Sequence, residues 1–313
     1  NDYIKTNPDE PEAYELLGEI FYSIGAYESA VIEYSKAIKL DPLSPIHYQG
    51  RGEALFQLDR YDEAIDDFSN AMSLLEDFAM DGWFSRVEKR LDLVQYYKDQ
   101  TTKSPANRVL LLACTEGDQG LVEMMLQQGA NANLLDKTGV PIIIGATIDS
   151  FHGVVETLLV FGANPDVMER VDPIPTYNAL GVAIDNGDVE LVRILLKNGA
   201  DPNYPDDFPP ITRVCLDGDT RAHLSILKLL LAAGGFPNHQ NSAGISPLMA
   251  PMLGYSRLLF DDEELLVEFL TVLVEAGANV NLSANDGRTA LSIAVQKKKT
   301  LATKFLIKSG AEF

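Results

Sequence analysis

The sequence is poor in the residues that build metal sites and disulfide frameworks. Its 313 residues include only two cysteines and four histidines. Two cysteines exclude a disulfide framework and a cysteine-based zinc site, and the histidines lack HExxH or other metal-binding spacing. No glycine is followed by lysine, so the P-loop is missing, and the GxSxG and GxGxxG motifs are missing too. We therefore expect no enzyme activity, no bound metal and no cofactor.

Long apolar runs and an excess of positive charge are also missing. The run Val109–Cys114 is among the longest, and a membrane helix needs about 20 apolar residues. The 25 Lys and Arg are outnumbered by 46 Asp and Glu, which gives a net charge of −21. Because nucleic acids and anionic membranes attract basic surfaces, we expect neither nucleic-acid binding nor membrane insertion. A protein or peptide with a basic segment is the expected partner. The alternative is that the acidity only keeps an elongated surface soluble.

The first hundred residues repeat with a period of 34. Asn7-Pro8 recurs as Asp41-Pro42. Seven further positions recur at the same offset: Tyr14 and Tyr48, Gly18 and Gly52, Phe21 and Leu55, Tyr27 and Tyr61, Ala30 and Ala64, Tyr34 and Phe68, Ala37 and Ala71. Apolar residues at helical spacing predict two helices in each period. The pattern resembles the tetratricopeptide repeat, which implies a superhelix of helix pairs. We assign residues 1–103 to this domain, as a partial repeat, two full repeats and a capping helix around Trp83.

From about residue 104 the period becomes 33, with insertions. Its marker is Gly-small-Asn/Asp after a Leu-rich helix, as in Gly129-Ala130-Asn131 and Gly277-Ala278-Asn279. The glycine is predicted to end the helix in the left-handed conformation. The pattern resembles the ankyrin repeat, which implies a β-hairpin followed by two antiparallel helices. We assign about six such repeats to residues 104–313, with insertions near 167–176, 219–223 and 255–265.

The predicted fold class is an all-α repeat solenoid with small β-hairpins, in which a tetratricopeptide superhelix is joined to an ankyrin-repeat stack. Solenoids present extended surfaces rather than enclosed pockets, and both resemblances imply a protein-binding scaffold. Two alternatives stay open: a recognition arm of a larger enzyme or effector whose catalytic domain is missing from this chain, and an inhibitor or immunity-type protein that masks a basic surface.

We expect a cytoplasmic or other intracellular location. Because the chain starts at Asn1 and residues 1–8 match the end of a repeat, we expect the natural N-terminus to lie upstream. The oligomeric state is left open.

The tetratricopeptide resemblance implies a ligand groove lined by the first helix of each repeat. The candidate partner-binding residues there are Glu15, Glu19, Tyr22, Gln49, Glu53 and Phe56. Glu15 and Glu19 are four residues apart and share a helix face, and Glu53 follows Glu19 by 34 residues. We expect these three carboxylates to converge and to favour a Lys or Arg side chain. Reversing the charges of Glu19 and Glu53 should leave folding nearly unchanged. A merely solvated acidic face is the alternative.

The ankyrin resemblance implies partner contacts at hairpin tips and on the exposed sides of the first helices. The candidates at these positions are Asp136, Lys137, Asp149, Asp185 and Asn186. The insertion near residues 255–265 adds Tyr255 and Phe260. The insertion could equally pack back onto the repeats. Cys114 and Cys215 are separated by two whole repeats, so we expect both to be reduced and buried in helices.

Overall fold

The computed structural model describes residues 9–76, 81–168, 178–204, 209–217, 221–253 and 262–312. The chain divides into two compact units. The first comprises Asn1–Arg108 together with Lys137–Gly139, and the second comprises Val109–Asp136 together with Val140–Phe313. The predicted domain boundary after residue 103 and the predicted number of repeats stay predictions.

Helices packed in sequence order build the first unit. Its described helices are α1 (Pro11–Ser23), α2 (Tyr27–Leu40), α3 (Pro45–Gln57), α4 (Tyr61–Glu76) and α5 (Asp81–Lys103). Pro11 and Pro45 begin α1 and α3, where the missing N–H of proline costs nothing and its fixed φ favours the helix. Each helix packs on the next, and α1 also contacts α3.

Tyr34 of α2 fills the space between α1 and α3. Its ring lies so close to Gly18 of α1 that a Cβ there would be 2.8 Å from the ring, and a Cβ at Gly50 of α3 would be 2.4 Å away. Tyr34 is buried in a cluster with Ala30 and Ala54. A side chain at residue 50 would force the ring to move, which well-packed cores resist. The absence of a side chain at these two positions therefore allows one aromatic residue to pack against both first helices.

The second unit is a succession of helix pairs. Helix α6 (Pro105–Glu116) spans the boundary between the units. The described helices that follow it are α7 (Gln119–Gln127), α8 (Ile142–Ile148), α9 (His152–Val160), α10 (Ala179–Asp185), α11 (Val189–Lys197), α12 (Pro210–Asp217), α13 (Arg221–Ala232), α14 (Ala250–Leu253), α15 (Glu263–Glu275), α16 (Ala290–Gln296) and α17 (Thr300–Lys308). From α8 onward, first helices pack on first helices, and from α7 onward second helices pack on second helices. This part of the chain is a helical repeat solenoid.

The marker glycines end the second helices as predicted. Each one has a positive φ, between 88° and 94°: Gly129, Gly162, Gly199, Gly234, Gly277 and Gly310. Glycine adopts this left-handed conformation without the steric penalty that a Cβ brings. The backbone therefore turns away from the helix at the same point of every marked repeat.

The predicted β-hairpins are not present as strands. The described residues contain no strand, only the isolated antiparallel bridges Leu135–Pro141 and Ser283–Thr289. In the first of these turns, the Ile142 N–H donates to the carbonyl of Leu134 and the Asp136 N–H donates to the carbonyl of Val140. Pro141 lies between these bonds and has no N–H with which to extend a ladder. The turns are thus held by single bridges.

Asparagine side chains connect neighbouring repeats of the second unit. The Asn133 amide donates to the carbonyl of Gly162 at 3.0 Å, and its Oδ1 accepts from the Asn164 N–H at 2.7 Å. The residues that make the same pair of bonds to the next repeat are Asn203, Asn238 and Asn281. All four lie four residues after a marker glycine. Because each amide both donates and accepts, it satisfies a carbonyl and an N–H in the turn that follows the second helix of the next repeat.

Asp166 interrupts this series of asparagines. It also lies four residues after a marker glycine, and its carboxylate accepts from the Asp201 N–H at 3.0 Å. Burial and the charge of Asp201 raise the pKa of Asp166, although the bond from the Asp201 N–H acts to lower it. An ionised carboxylate cannot donate a hydrogen bond. This repeat junction therefore has a weaker connection than its neighbours.

We expect Asp166→Asn to raise the free energy of unfolding by about 1 kcal/mol at neutral pH, through one added hydrogen bond. Because the folded-state pKa of Asp166 is raised, ionisation costs stability above the unfolded-state pKa of about 3.9, and this cost disappears as the pH falls. The advantage of D166N should therefore shrink toward about pH 3. Urea denaturation followed by circular dichroism measures it at both pH values. The matched control Asn203→Asp should lose about 1 kcal/mol at neutral pH. Equal stability of D166N and the unmodified chain at neutral pH would contradict the expectation.

Both cysteines are free and buried in helices, as predicted. Burial raises the pKa of Cys114 to about 12 and raises the pKa of Cys215 still further above its ordinary value. Both thiols are therefore protonated at neutral pH, and a thiol in that form is a poor nucleophile.

Candidate functional site

Five side chains of the first unit meet where Tyr34 approaches α1 and α3. We call Glu15, Glu19, Tyr22, Tyr34 and Glu53 the Tyr34 cluster. Burial raises the pKa of Tyr34 well above its ordinary value, and the charges of Glu19, Glu15 and Glu53 add to that increase. Burial raises the pKa of Tyr22 too, and Glu53 contributes again. The structure thus brings together four of the six residues predicted for the groove.

Two carboxylates of the Tyr34 cluster already have a partner within the chain. Glu15 Oε2 lies 2.9 Å from His47 Nε2. Glu53 accepts two hydrogen bonds from the Arg90 guanidinium, at 2.7 and 2.5 Å. The three carboxylates were predicted to favour a Lys or Arg side chain, and for Glu53 the Arg90 guanidinium of the same chain already supplies one. A lysine at residue 53 would face Arg90, so we expect this reversal to lower stability, in contrast to the expectation from the sequence. Glu19 is exposed and is the open carboxylate of the cluster.

Phe56 and Gln49 have roles inside the first unit. Phe56 is fully buried, with its ring centroid 5.5 Å from that of Tyr97, so its prediction as a partner contact is wrong. It lies near the C-terminal end of α3, where α5 covers it. Gln49 Oε1 accepts a hydrogen bond from Trp83 Nε1 at 2.7 Å. Trp83 follows Gln49 by 34 residues, so the repeat register extends into α5.

The predicted residues Asp136 and Lys137 also form bonds within the chain. Asp136 Oδ1 accepts from the Val140 N–H at 3.0 Å and closes the turn. Lys137, which belongs to the first unit, donates to Asp59 at 2.7 Å and to the carbonyl of Gln57 at 3.0 Å. Burial acts to raise the pKa of Asp59, but hydrogen bonds from Lys137 and Tyr61 outweigh it, and the pKa is lowered. Asp136 and Lys137 therefore have structural roles, and their contact with a partner stays a prediction.

Asp149, Asp185 and Asn186 lie at the ends of first helices in the second unit. Asp185 binds Arg213 through both carboxylate oxygens, at 2.6 and 2.9 Å. Asp149 and Asn186 cap the C-terminal ends of α8 and α10, and both are exposed. Tyr255 and Phe260 lie outside the described residues, as do large parts of the predicted insertions. All three of these first-helix residues stay predicted contacts, and Asp149 and Asn186 have no assigned side-chain bond in the fold.

Metal sites and membrane spans are both missing from the part of the chain that the structure describes. No group of three or more His, Cys, Asp or Glu among them could hold a metal ion. Within the same residues, every helix is too short or too polar to cross a membrane.

Family models match both parts of the chain. The model of the TPR repeat matches residues 18–59. The model of three ankyrin repeat copies matches residues 110–206, and that of many copies matches residues 182–231. The chain carries a tetratricopeptide repeat followed by ankyrin repeats. This order is the one predicted from the two periods.

Curated relatives match the chain over part of their length. The chain is 33% identical over 120 residues to the E3 ubiquitin-protein ligase KEG of Arabidopsis thaliana, which is 38% of this chain and 7% of that protein. It is 26% identical over 137 residues to the human ankyrin repeat and SOCS box protein 6, which is 44% of this chain and 31% of that protein. The chain therefore spans well under half the length of both relatives.

A solved structure supports the fold of the ankyrin repeats. The ankyrin repeat domain from Acinetobacter baumannii AYE superposes with a TM-score of 0.57 at 24% identity, over 65% of this chain and 98% of that one. Tetratricopeptide and ankyrin repeats are in general modules of protein–protein interaction, because their stacked units present long continuous surfaces. The chain is thus built from repeats of a kind that generally bind other proteins.

Proposed function

We propose that the chain is a non-enzymatic scaffold that binds a protein or peptide through an acidic, concave surface formed by the first helices of its tetratricopeptide repeats. The observation that carries the proposal is the Tyr34 cluster, in which three carboxylates and two phenols from α1, α2 and α3 converge. In this proposal the tetratricopeptide repeats form a superhelix, and the ankyrin stack adds Asp149 and Asn186 as a second contact surface.

The pairing within the cluster supports a proposal that it binds one cation. Arg90 neutralises Glu53 and His47 contacts Glu15, while Glu19 stays open to solvent beside them. A single Lys or Arg side chain of a partner fits this charge pattern, because opposite charges attract and the Tyr22 ring favours a cation above its face. The aliphatic part of such a side chain would pack beside Tyr22, which is partly exposed.

A charge reversal at Glu19 tests the proposal. We expect Glu19→Lys to weaken binding of a fluorescent ten-residue Lys-Ser peptide by about 1–2 kcal/mol at low salt, because a lysine repels the peptide that a glutamate attracts. Fluorescence anisotropy measures the dissociation constant, and the effect should shrink as salt screens the charges.

The matched control is Glu275→Lys, which changes the net charge equally at an exposed residue of α15. It should bind the peptide as the unmodified chain does, and a Glu-Ser peptide should not bind either protein. If E19K and E275K lose affinity equally, only the net charge matters, and the Tyr34 cluster is not the binding site.

A second candidate function is a recognition arm of a larger enzyme or effector. The observation that favours it is that the chain matches 7% of a ubiquitin ligase and 31% of a SOCS box protein. Sequencing the complete transcript tests it, and a catalytic domain in the same reading frame is the supporting result. The inhibitor or immunity-type alternative stays a prediction, as does the intracellular location.

A further inference from the structure

Trp83 of α5 lies beside the Tyr34 cluster. Its Nε1 donates a hydrogen bond to Gln49 Oε1 at 2.7 Å. Gln49 and Glu53 are four residues apart and therefore share one face of α3. Glu53 belongs to the Tyr34 cluster and binds Arg90, which is also on α5. The two contacts join the same faces of α3 and α5, so Trp83 lies about one helical turn from Glu53 along the groove.

The indole of Trp83 is fixed in place but is not fully covered. Trp83 and its partner Gln49 are both partly exposed. The core contacts of α5 are made instead by Val87, Val94 and Tyr97, which are all buried. Tryptophan is enriched among the residues that carry binding energy in interfaces, and the N–H of this one already has an acceptor. The exposed part of the ring is therefore available for an apolar contact.

The surroundings of Trp83 favour an apolar ligand group over a second cation. Ile46 lies three residues before Gln49, on the same side of α3, and its exposed fraction is 37%. Covering Ile46 and Trp83 together removes apolar surface from water, which is favourable. Arg86 lies three residues after Trp83 on α5 and is exposed. Its guanidinium would repel a lysine or arginine at this point.

The 34-residue period shows that the composition of the groove changes along its length. Glu15, Gln49 and Trp83 occupy equivalent positions of α1, α3 and α5. The helix α5 thus takes the place of a third first helix in the groove. The groove is therefore acidic on α1 and aromatic on α5, and a ligand that crosses it meets both characters in turn.

The distance across the groove sets the spacing of the ligand groups. Packed helices lie about 8–10 Å apart, and an extended chain advances about 3.3 Å per residue, so one step between helices corresponds to about three residues. A cation held by Glu19 and Glu53 lies between α1 and α3, about one and a half steps from α5. About four residues of an extended peptide therefore separate this cation from a side chain that contacts Trp83.

We propose that Ile46 and Trp83 form a second subsite, which takes a large apolar side chain about four residues away from the Lys or Arg that the Tyr34 cluster binds. This inference rests on the function proposed above. It narrows the partner to an extended segment with one basic and one apolar anchor. Gln49 acts as a positioning residue that orients the indole.

The test uses the fluorescence of Trp83, which is the only tryptophan of the chain. The probes are two labelled ten-residue serine peptides with two adjacent lysines near one end. The Lys-Phe peptide has a phenylalanine four residues from the nearer lysine, and the Lys-only peptide has serine there. We expect the Lys-Phe peptide to bind about fivefold more tightly at low salt, because its ring leaves water. It should also shift the Trp83 emission to shorter wavelength.

The position of the phenylalanine is a control on the spacing. A third peptide with the phenylalanine directly beside the lysines should bind as the Lys-only peptide does. Each peptide is also made in the reverse order, so that both directions across the groove are covered.

Variants assign the preference to the subsite. Trp83→Ala should remove the fivefold preference, measured by fluorescence anisotropy, and leave binding of the Lys-only peptide within about twofold. Trp83→Phe keeps an aromatic ring and should keep most of the preference. The matched control Phe161→Ala, at an exposed aromatic residue of the second unit, should keep all of it. Circular dichroism checks that the variants fold, and the emission shift in the unmodified chain needs no variant.

The outcomes separate this proposal from that for the Tyr34 cluster. Glu19→Lys should weaken both peptides by the same factor. Equal binding of the two peptides, with unchanged Trp83 emission, would overturn the apolar subsite and leave the Tyr34 cluster as the cation site. Failure of both peptides to bind would overturn the two proposals together.

Other occupants of the subsite give different results. An emission shift with protein concentration alone would assign the subsite to a second copy of the chain. An indole that is already shielded in a longer natural chain would assign it to a segment of the same protein. Either result would overturn the proposal.

Discussion

Replacement of Phe56 by alanine is expected to lower the free energy of unfolding by about 3–5 kcal/mol, the usual cost of removing a buried phenylalanine ring. The Phe56 side chain is fully buried and packs at 5.5 Å against Tyr97 and at 6.1 Å against Tyr61. The Arg90 guanidinium, which also holds Glu53, lies 5.4 Å from the centre of the same ring. The substitution therefore leaves a cavity where α3, α4 and α5 meet.

Urea denaturation followed by the fluorescence of Trp83 measures this loss, because the indole reports on the first unit through its bond to Gln49. Phe56→Leu should cost less, since it keeps most of the apolar volume. Leu43→Ala, at an exposed residue of the same unit, should stay within about 0.5 kcal/mol. If F56A keeps its stability and instead loses binding of the Lys-Ser peptide, Phe56 is a contact residue as the sequence predicts. In that case its ring does not hold α3, α4 and α5 together.

Periodicity predicts well what repeats and poorly what does not. The 34-residue period places Glu15, Glu19 and Glu53 near one another, and it pairs Gln49 with Trp83. Arg90 follows Glu53 by 37 residues, outside the period, so no repeat pattern indicates the pair that they form. Contacts that break the period depend on how α5 packs, and a sequence pattern carries no information about that.

Part of the acidity that suggested a basic partner serves the fold itself. Asp118, Asp188 and Asp262 accept hydrogen bonds from the first turns of α7, α11 and α15. An aspartate at this position satisfies an N–H that the helix leaves open and interacts favourably with the helix dipole. The net charge alone therefore overstates the number of carboxylates available to a partner.

The asparagines four residues after the marker glycines are equally visible in the sequence. Their bonds to the next repeat depend on the distance between stacked repeats, which only the structure provides.

Asp185 is another acidic residue that stabilises the fold, and its removal is expected to lower the free energy of unfolding substantially. Its carboxylate binds Arg213, whose side chain is only 8% exposed, through two hydrogen bonds that join α10 to α12. Gly181 lies beneath the guanidinium, where a Cβ would be 3.1 Å from Nη1. Asp185→Ala removes the charge that balances this buried guanidinium. Removing one partner of a buried pair typically costs about 3–5 kcal/mol, and because Asp185 is partly exposed we expect about 2–3 kcal/mol.

Urea denaturation followed by circular dichroism measures that loss, and a double substitution separates its causes. Asp185→Ala with Arg213→Met should be more stable than D185A alone, because it removes the buried charge together with its partner. Asn186→Ala, at the neighbouring exposed residue, should stay within about 0.5 kcal/mol. Should D185A prove as stable as N186A, the ion pair does not hold the two repeats together. The carboxylate of Asp185 would then be available for the partner contact that the sequence predicts for it.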